Sequence, residues 1–193
     1  MTSFIKWCAS SGVFTTDTNE CTHLLLTGGK LKITSKTFDS FIKAYTRALQ
    51  NNEELYLVER VAYEINLFID IDCKKYTKFD YDTLVCDIKS IIPEETATYK
   101  CNASNAYHLV YPCVQVQPHE ASEMILLLQK KLIANFGYDQ KEIENIIDTS
   151  VYKTGLRMIG SYKRNEQRCY LPQGAENRQC ITDEQVRYSL IRH

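Results

Sequence analysis

The stretch Ile65-Asn66-Leu67-Phe68-Ile69-Asp70-Ile71-Asp72 alternates strictly between two sets of residues. Ile65, Leu67, Ile69 and Ile71 form one set; Asn66, Phe68, Asp70 and Asp72 form the other. Successive side chains of a strand point to opposite faces, so the pattern predicts a β-strand whose second face ends in two carboxylates. Asp70 and Asp72, two apart, leave that face about 6.6 Å apart at Cα. Such a pair can converge on two cations about 3.5–4 Å apart, and its hard oxygens suit Mg²⁺ or Mn²⁺. A bare pair of this kind also reads as a strand edge whose acids face water. The apolar run Leu67-Phe68-Ile69 instead carries the acids to the end of a core strand.

Downstream, residues 80–92 read as a helix, with Asp80 as N-cap, Leu84, Val85, Ile88 and Ile91 as its apolar stripe and Pro93 as its stop. Strands follow at 96–101 and 106–112. A long helix starts at Pro118, turns Ala121, Met124, Ile125, Leu128 and Leu132 inward and ends at Gly137. A short polar helix at 139–145 leads into Ile146-Ile147-Asp148, then a strand at 156–162 and a hairpin near 167–171. Upstream, a helix at 3–9 precedes a strand at 21–26, a turn at Gly28-Gly29 and a return strand at 30–34. Phe38, Phe41, Ile42, Tyr45 and Leu49 recur at helical spacing within 36–50, and a short strand follows at 55–58. No linker separates the halves and no internal repeat is present.

Apolar residues make up 44% of the 193 and charged residues 24%, which excludes bulk disorder. No window approaches the ~20 apolar residues of a membrane span, and the N-terminus lacks a signal peptide's apolar core. Eight cysteines, at 8, 21, 73, 86, 101, 113, 169 and 180, include no CxxC pair. They read as reduced thiols of a cytoplasmic or nuclear, not secreted, protein. Cys169, Cys180 and His193 remain one conceivable zinc set. The net charge is −1, but basic residues cluster at Lys30, Lys32, Lys36, Lys43 and Arg47, and again at Lys153, Arg157, Lys163, Arg164 and Arg168. Two basic clusters around an acidic centre suit an enzyme acting on a polyanion with metal ions, although such clusters are commonly solvated faces.

Three further positions carry chemistry. His108, in Tyr107-His108-Leu109-Val110-Tyr111, is a strand histidine able to donate to a phosphate. Asp148 closes an apolar pair. In Arg157-Met158-Ile159-Gly160-Ser161-Tyr162-Lys163, a strand reading puts Arg157, Ser161 and Lys163 on one face, a fork, a hydroxyl and a point charge suited to a triphosphate. Gly160, on the other face, allows close backbone approach. No Walker motif is present.

Taken in order, Phe68-Ile69-Asp70-Ile71-Asp72, Tyr107 to Tyr111, and Asp148-Thr149-Ser150-Val151-Tyr152 with Arg157 to Lys163 resemble the three motifs of the archaeo-eukaryotic primase superfamily. The likeness is to the branch of PrimPol, herpesvirus primases and the primase domains of poxvirus-type primase-helicases. Thr22-His23-Leu24, Gly28-Gly29-Lys30 and Leu57-Val58-Glu59-Arg60 resemble the N-terminal lobe of the viral members. The resemblance covers roughly residues 20–165. It implies that Asp70, Asp72 and Asp148 are catalytic carboxylates binding Mg²⁺ or Mn²⁺, and that His108, Arg157, Ser161 and Lys163 bind the nucleotide. One departure stands out: the family's middle motif reads S-x-H, with a Lys two residues earlier, where this chain has Ala106 and Ser104. Those phosphate contacts are missing, leaving Lys100 or Lys163 to compensate.

The implied fold is α+β. An RRM-like antiparallel catalytic sheet spans 63–165, an N-terminal αβ lobe spans 1–62, and a C-terminal extension spans 166–193, the whole belonging to a longer chain. The implied function is a DNA-dependent primase–polymerase making primers in viral-type replication. Its partners are a single-stranded DNA template, NTP or dNTP, and a downstream helicase domain or replication proteins, with no membrane. A DxD glycosyltransferase, a metal-dependent nuclease and a catalytically silent nucleic-acid-binding module are the other readings.

Overall fold

Amphipathic periodicity decides the first long element. In helix α2 (Ser35–Gln50) the residues at helical spacing, Phe41, Ile42, Tyr45 and Leu49, are buried, and Thr34 with Thr37 forms its capping box. The computed structural model describes residues 2–72 and 80–192. Around α2 lie helix α1 (Ser3–Ser10), strands β1 (Phe14–Thr15), β2 (His23–Leu25) and β3 (Lys30–Leu31), and strand β4 (Leu57–Glu59). Then come β5 (Ile65–Ile71), α3 (Tyr81–Ile91), β6 (Ala97–Cys101), β7 (Tyr107–Val116), α4 (Pro118–Phe136) and α5 (Gln140–Ile146). The chain closes with β8 (Ile147–Asp148), α6 (Val151–Thr154), β9 (Leu156–Arg157), β10 (Tyr170–Pro172), a 3-10 turn at Arg178–Cys180 and α7 (Asp183–Tyr188).

Among the described residues the strands make two five-stranded antiparallel sheets, in the orders β1-β3-β2-β4-β9 and β10-β6-β7-β5-β8. The fold is α+β, as expected. Helix α3 starts where Asp80 accepts the Thr83 N–H, and α4 stops at Gly137, whose φ of +74° suits glycine.

Strand β5 is the core strand that the apolar run implies. Asn66 and Phe68 are buried with the isoleucines. Asn66 donates from Nδ2 to the Leu190 carbonyl at 2.8 Å, and the Phe68 ring meets Tyr152 at 4.7 Å. The structure corrects the sequence reading in two places. First, the strand expected at 156–162 ends at Arg157. The chain turns at Gly160, φ +73°, where a Cβ would lie 2.8 Å from the Leu49 side chain. Gly160 is thus set by its turn and by core contact. Second, the hairpin near 167–171 is displaced: the turn pairs Lys163 with Glu166, and Tyr170–Pro172 instead pairs with β6.

The lobes also exchange strands. β9, from the expected catalytic lobe, edges the N-terminal sheet, and β10, from the expected extension, edges the catalytic sheet. The last residues close the first lobe. Buried Glu59 accepts N–H bonds from Ile191 at 2.8 Å and Arg192 at 3.0 Å. Buried Arg178 donates to the carbonyls of Gly160 at 2.6 Å and Glu53 at 2.5 Å, under the Tyr162 ring at 4.1 Å. All seven described cysteines are free, with Cys86, Cys113 and Cys180 exposed. Among the described residues no helix is long and apolar enough to cross a membrane.

Gly155 has φ +102°, and a Cβ there would meet the Glu59 carbonyl oxygen at 2.2 Å. Gly155→Ala should therefore cost at least about 2 kcal/mol in urea unfolding. Gly137→Ala, with no atom near its Cβ, should cost about 1 kcal/mol. Equal losses would contradict the close approach at Gly155.

His23 and Glu59 face each other across β2 and β4, and both are buried. Burial, reinforced by Arg192, pushes the His23 imidazole down to about 3. Burial pushes the Glu59 carboxyl up to about 8, against its N–H bonds and Arg192. Below pH 6.5 the unfolded state takes up the histidine proton first, so His23 makes stability fall from 6.5 towards 3. Above 4.5 the unfolded state loses the glutamate proton first, so Glu59 makes stability fall from 4.5 towards 8. The two slopes oppose each other between 4.5 and 6.5, and stability should decline on either side. Urea midpoints against pH check this, and Glu59→Gln should flatten the decline above 6.5.

Candidate active site

The register of the catalytic sheet assembles the carboxylates. Asp70 lies opposite His108 on β7 and opposite Asp148 on β8. Directly paired residues share a face, so three motifs far apart in sequence meet on one side of one sheet. Asp72 follows on that face, its N–H bonded to the Ile146 carbonyl at 2.8 Å. Asp148 Oδ1 accepts the Ser150 N–H at 2.8 Å, an Asx turn that fixes the carboxylate. His108 Nε2 lies 3.5 Å from Asp70 Oδ1.

His108 is 2% exposed. Burial first and the Arg157 charge second hold its imidazole well below the usual histidine range, so the ring is neutral. Tyr170 stacks on it with ring centroids 3.4 Å apart. The Arg157 guanidinium sits 5.2 Å from the Tyr170 ring centre on the side of the neighbouring sheet, and its Nη1 reaches the Arg168 carbonyl at 3.4 Å. The Tyr170 phenol is pushed up by burial, by Asp70 and by Asp72, with Arg157 opposing. Both acids and Arg157 therefore act electrostatically on this one phenol. Tyr170 was not picked out by sequence. Its segment carries no motif, and only its pairing with β6 brings it over His108.

Of the expected nucleotide-binding set, His108 pairs in register with Asp70, Arg157 lies over the Tyr170 ring, and Ser161 is turned away. Ser161 is 0% exposed: its Oγ accepts the Leu57 N–H at 2.7 Å and lies 3.2 Å from the Tyr45 hydroxyl. The turn at Gly160 points it into the core, so it does not share a face with Arg157 and Lys163. Lys163, half-exposed, pairs with Glu166 at 3.3 Å on its own turn. Of the two lysines expected to compensate, Lys100 lies opposite Tyr107, on the face away from His108, and pairs with Asp82 at 3.2 Å. Ala106 is buried and its carbonyl accepts the Cys101 N–H.

The oxygen-only chemistry of Asp70, Asp72 and Asp148 fits a hard divalent cation, and the register sets Asp148 directly across from Asp70, with Asp72 two residues further along the same strand face. Among the described residues no three His, Cys, Asp or Glu side chains already close into a metal cage. Of the conceivable zinc set, the two cysteines are described. Cys169 is fully buried with its thiol pushed up to about 11, first by burial, Cys180 is exposed, and His193, like Cys73, lies outside the described residues.

An antiparallel sheet that presents two strand aspartates, a third from the strand on one side and a histidine from the strand on the other, backed by an αβ lobe, is the core of an archaeo-eukaryotic primase. The chain belongs to the family described as the C962R protein N-terminal AEP domain, whose match runs over residues 22–174 and which lies in the viral branch of that superfamily. The superfamily is one of primase–polymerase-type nucleotidyltransferases. No curated protein matches the chain.

Ser161→Ala leaves the buried Leu57 N–H without its acceptor. It should lower unfolding stability by about 1–3 kcal/mol while leaving ATP affinity, read by equilibrium dialysis with Mg²⁺, unchanged. A loss of affinity without a loss of stability would return Ser161 to the site.

Proposed function

We propose that this chain is a DNA-dependent primase–polymerase that joins nucleotides on a single-stranded template at the Asp70–Asp72–Asp148 face. The observation that carries this reading is the register that puts Asp70 directly between His108 and Asp148, in a chain whose family match covers all three. A Mg²⁺ or Mn²⁺ pair bound there supplies Lewis acidity, making the attacking 3′-hydroxyl more acidic and screening the triphosphate.

The chain's own side chains do the rest. Asp70, Asp72 and Asp148 hold the cations and concentrate negative charge where the reaction needs them. Arg157, over the Tyr170 ring, brings a guanidinium suited to a triphosphate oxygen by its fork of donors. His108, neutral and buried, meets Asp70 through Nε2 and orients that carboxylate, while Tyr170 packs on the face of its ring. Lys163 and Arg168, both bonded to Glu166 on the turn beside Arg157, offer charge to a template backbone. Such contacts weaken with salt. A helicase domain elsewhere in the full protein and a role in viral-type replication belong to this same reading.

A test is synthesis of labelled product on single-stranded DNA, without a primer, from NTPs and from dNTPs, with Mg²⁺ or Mn²⁺. Asp70→Asn and Asp148→Asn should each lower the rate at least about 100-fold with the fold intact. Undiminished synthesis by Asp148→Asn would remove the third ligand. Strand cleavage without NTPs would favour a nuclease, and hydrolysis of a nucleotide sugar a glycosyltransferase. Template binding with no product in any arm would make the domain a silent binding module.

A further inference from the structure

A second polar centre lies on the other sheet, away from the carboxylates. His23 on β2 is 4% exposed. Its neighbour Thr22 fixes the proton on its ring. The Thr22 hydroxyl donates to the Leu31 carbonyl at 3.1 Å, since a carbonyl only accepts. Its oxygen accepts the Ile33 N–H at 2.8 Å. With its one proton spent, Thr22 Oγ1 can only accept at its third contact, His23 Nδ1 at 2.9 Å. Nδ1 therefore carries the hydrogen, and Nε2, at the far end of the neutral ring, is a bare lone pair. Among the described residues Nε2 has no hydrogen-bond partner.

His23 lines a cavity of about 320 Å³. Its apolar walls are Ile33, Phe38 and Leu190, and its polar lining includes buried Glu59, Arg192 and, at the surface, Asp39. The Arg192 guanidinium gives one N–H to the Arg60 carbonyl at 3.2 Å and has five in all. The chemistry narrows the occupant. The bare Nε2 lone pair disfavours an anion at that end of the cavity, and the Arg192 guanidinium disfavours a cation. It also disfavours a metal ion, and no three metal-ligating side chains gather there among the described residues. What remains is a neutral molecule with a donor for Nε2, an adjacent acceptor for Arg192, and a flat apolar body. The volume stands at the small end of ligand pockets.

We propose that this cavity, between β2, β4 and the start of α2, is a nucleobase pocket, in which a ring N–H or exocyclic amine donates to His23 Nε2 and the neighbouring ring nitrogen or carbonyl accepts from Arg192. The base is that of a free nucleotide or of a single strand; both present the same edge. The pocket shares no residue with the Asp70 face and does not depend on what that face catalyses.

The test uses the whole 193-residue chain with ¹⁵N-labelled histidine. The His23 nitrogens are followed by NMR while adenosine, cytidine, guanosine and uridine are added in turn, then a ten-nucleotide single-stranded DNA of mixed sequence. The Nε2 resonance should shift saturably with at least one nucleoside, or with the oligonucleotide alone. The first outcome identifies a free-nucleotide source, the second a strand base. His23→Asn keeps a side-chain amide near Thr22 but leaves nothing at the Nε2 position, and should weaken binding at least about tenfold. His23→Gln, whose amide oxygen reaches that position, should restore it. Where either variant fails to fold, the unmodified protein and Phe38→Ala give the reading, with Phe38→Ala weakening the shift. An Nε2 resonance unmoved by all five probes, or moved by Zn²⁺ but by none of them, overturns the proposal. The same titration in Asp70→Asn separates it from primer synthesis, since His23 should respond there unchanged.

Discussion

Strand β5 has nowhere to put a charge except its end. It is hydrogen-bonded on both sides, by β7 and β8, and its body is buried on both faces. Burying an unpaired carboxylate along that body would cost more than a small domain can spare. Asp70 and Asp72 therefore stand where the strand leaves the core, and the pairing register carries His108 and Asp148 to the same place. The site is a consequence of how the sheet closes. A slip of one residue would send the acids to the opposite face and the isoleucines to the site.

The electrostatics of that corner are set by sharing between the two sheets. Carboxylates crowded on one face repel one another. Among the described residues, the positive charge of Arg157 beside that corner comes from the edge of the other sheet. Tyr170 lies between Arg157 and His108, an aromatic plate that separates the guanidinium from a ring already kept neutral. The relative placement of the two sheets thus governs the chemistry as directly as any single side chain.

Much of this was legible in the sequence, and the failures have common causes. Helical period placed α2, α3 and α4, with their caps, because burial of one stripe and satisfaction of the end groups are local demands. The three acids were legible because each ends an apolar strand. Ser161 was misplaced because strand alternation was extended through Gly160, whose positive φ breaks it. Lys100 was kept as a phosphate contact because its face depends on pairing with Tyr107, which no local pattern reveals. Tyr170 was missed for the same reason: its role arises from a non-local strand pairing.

The exchange of edge strands between the two sheets has a bearing on how the chain is made. Val58 waits for Arg157, and Tyr99 waits for Pro172. Neither sheet is complete when its own half of the polypeptide has emerged from the ribosome. Both leave an unpaired strand edge open in the interval, a template for pairing with another nascent chain. Contacts so distant in sequence also close slowly. Biosynthesis of this domain is thus a single late event in which both sheets and the acidic corner between them form together. A shortened transcript loses both lobes at once, and the yield of folded protein depends on how well those open edges are shielded meanwhile.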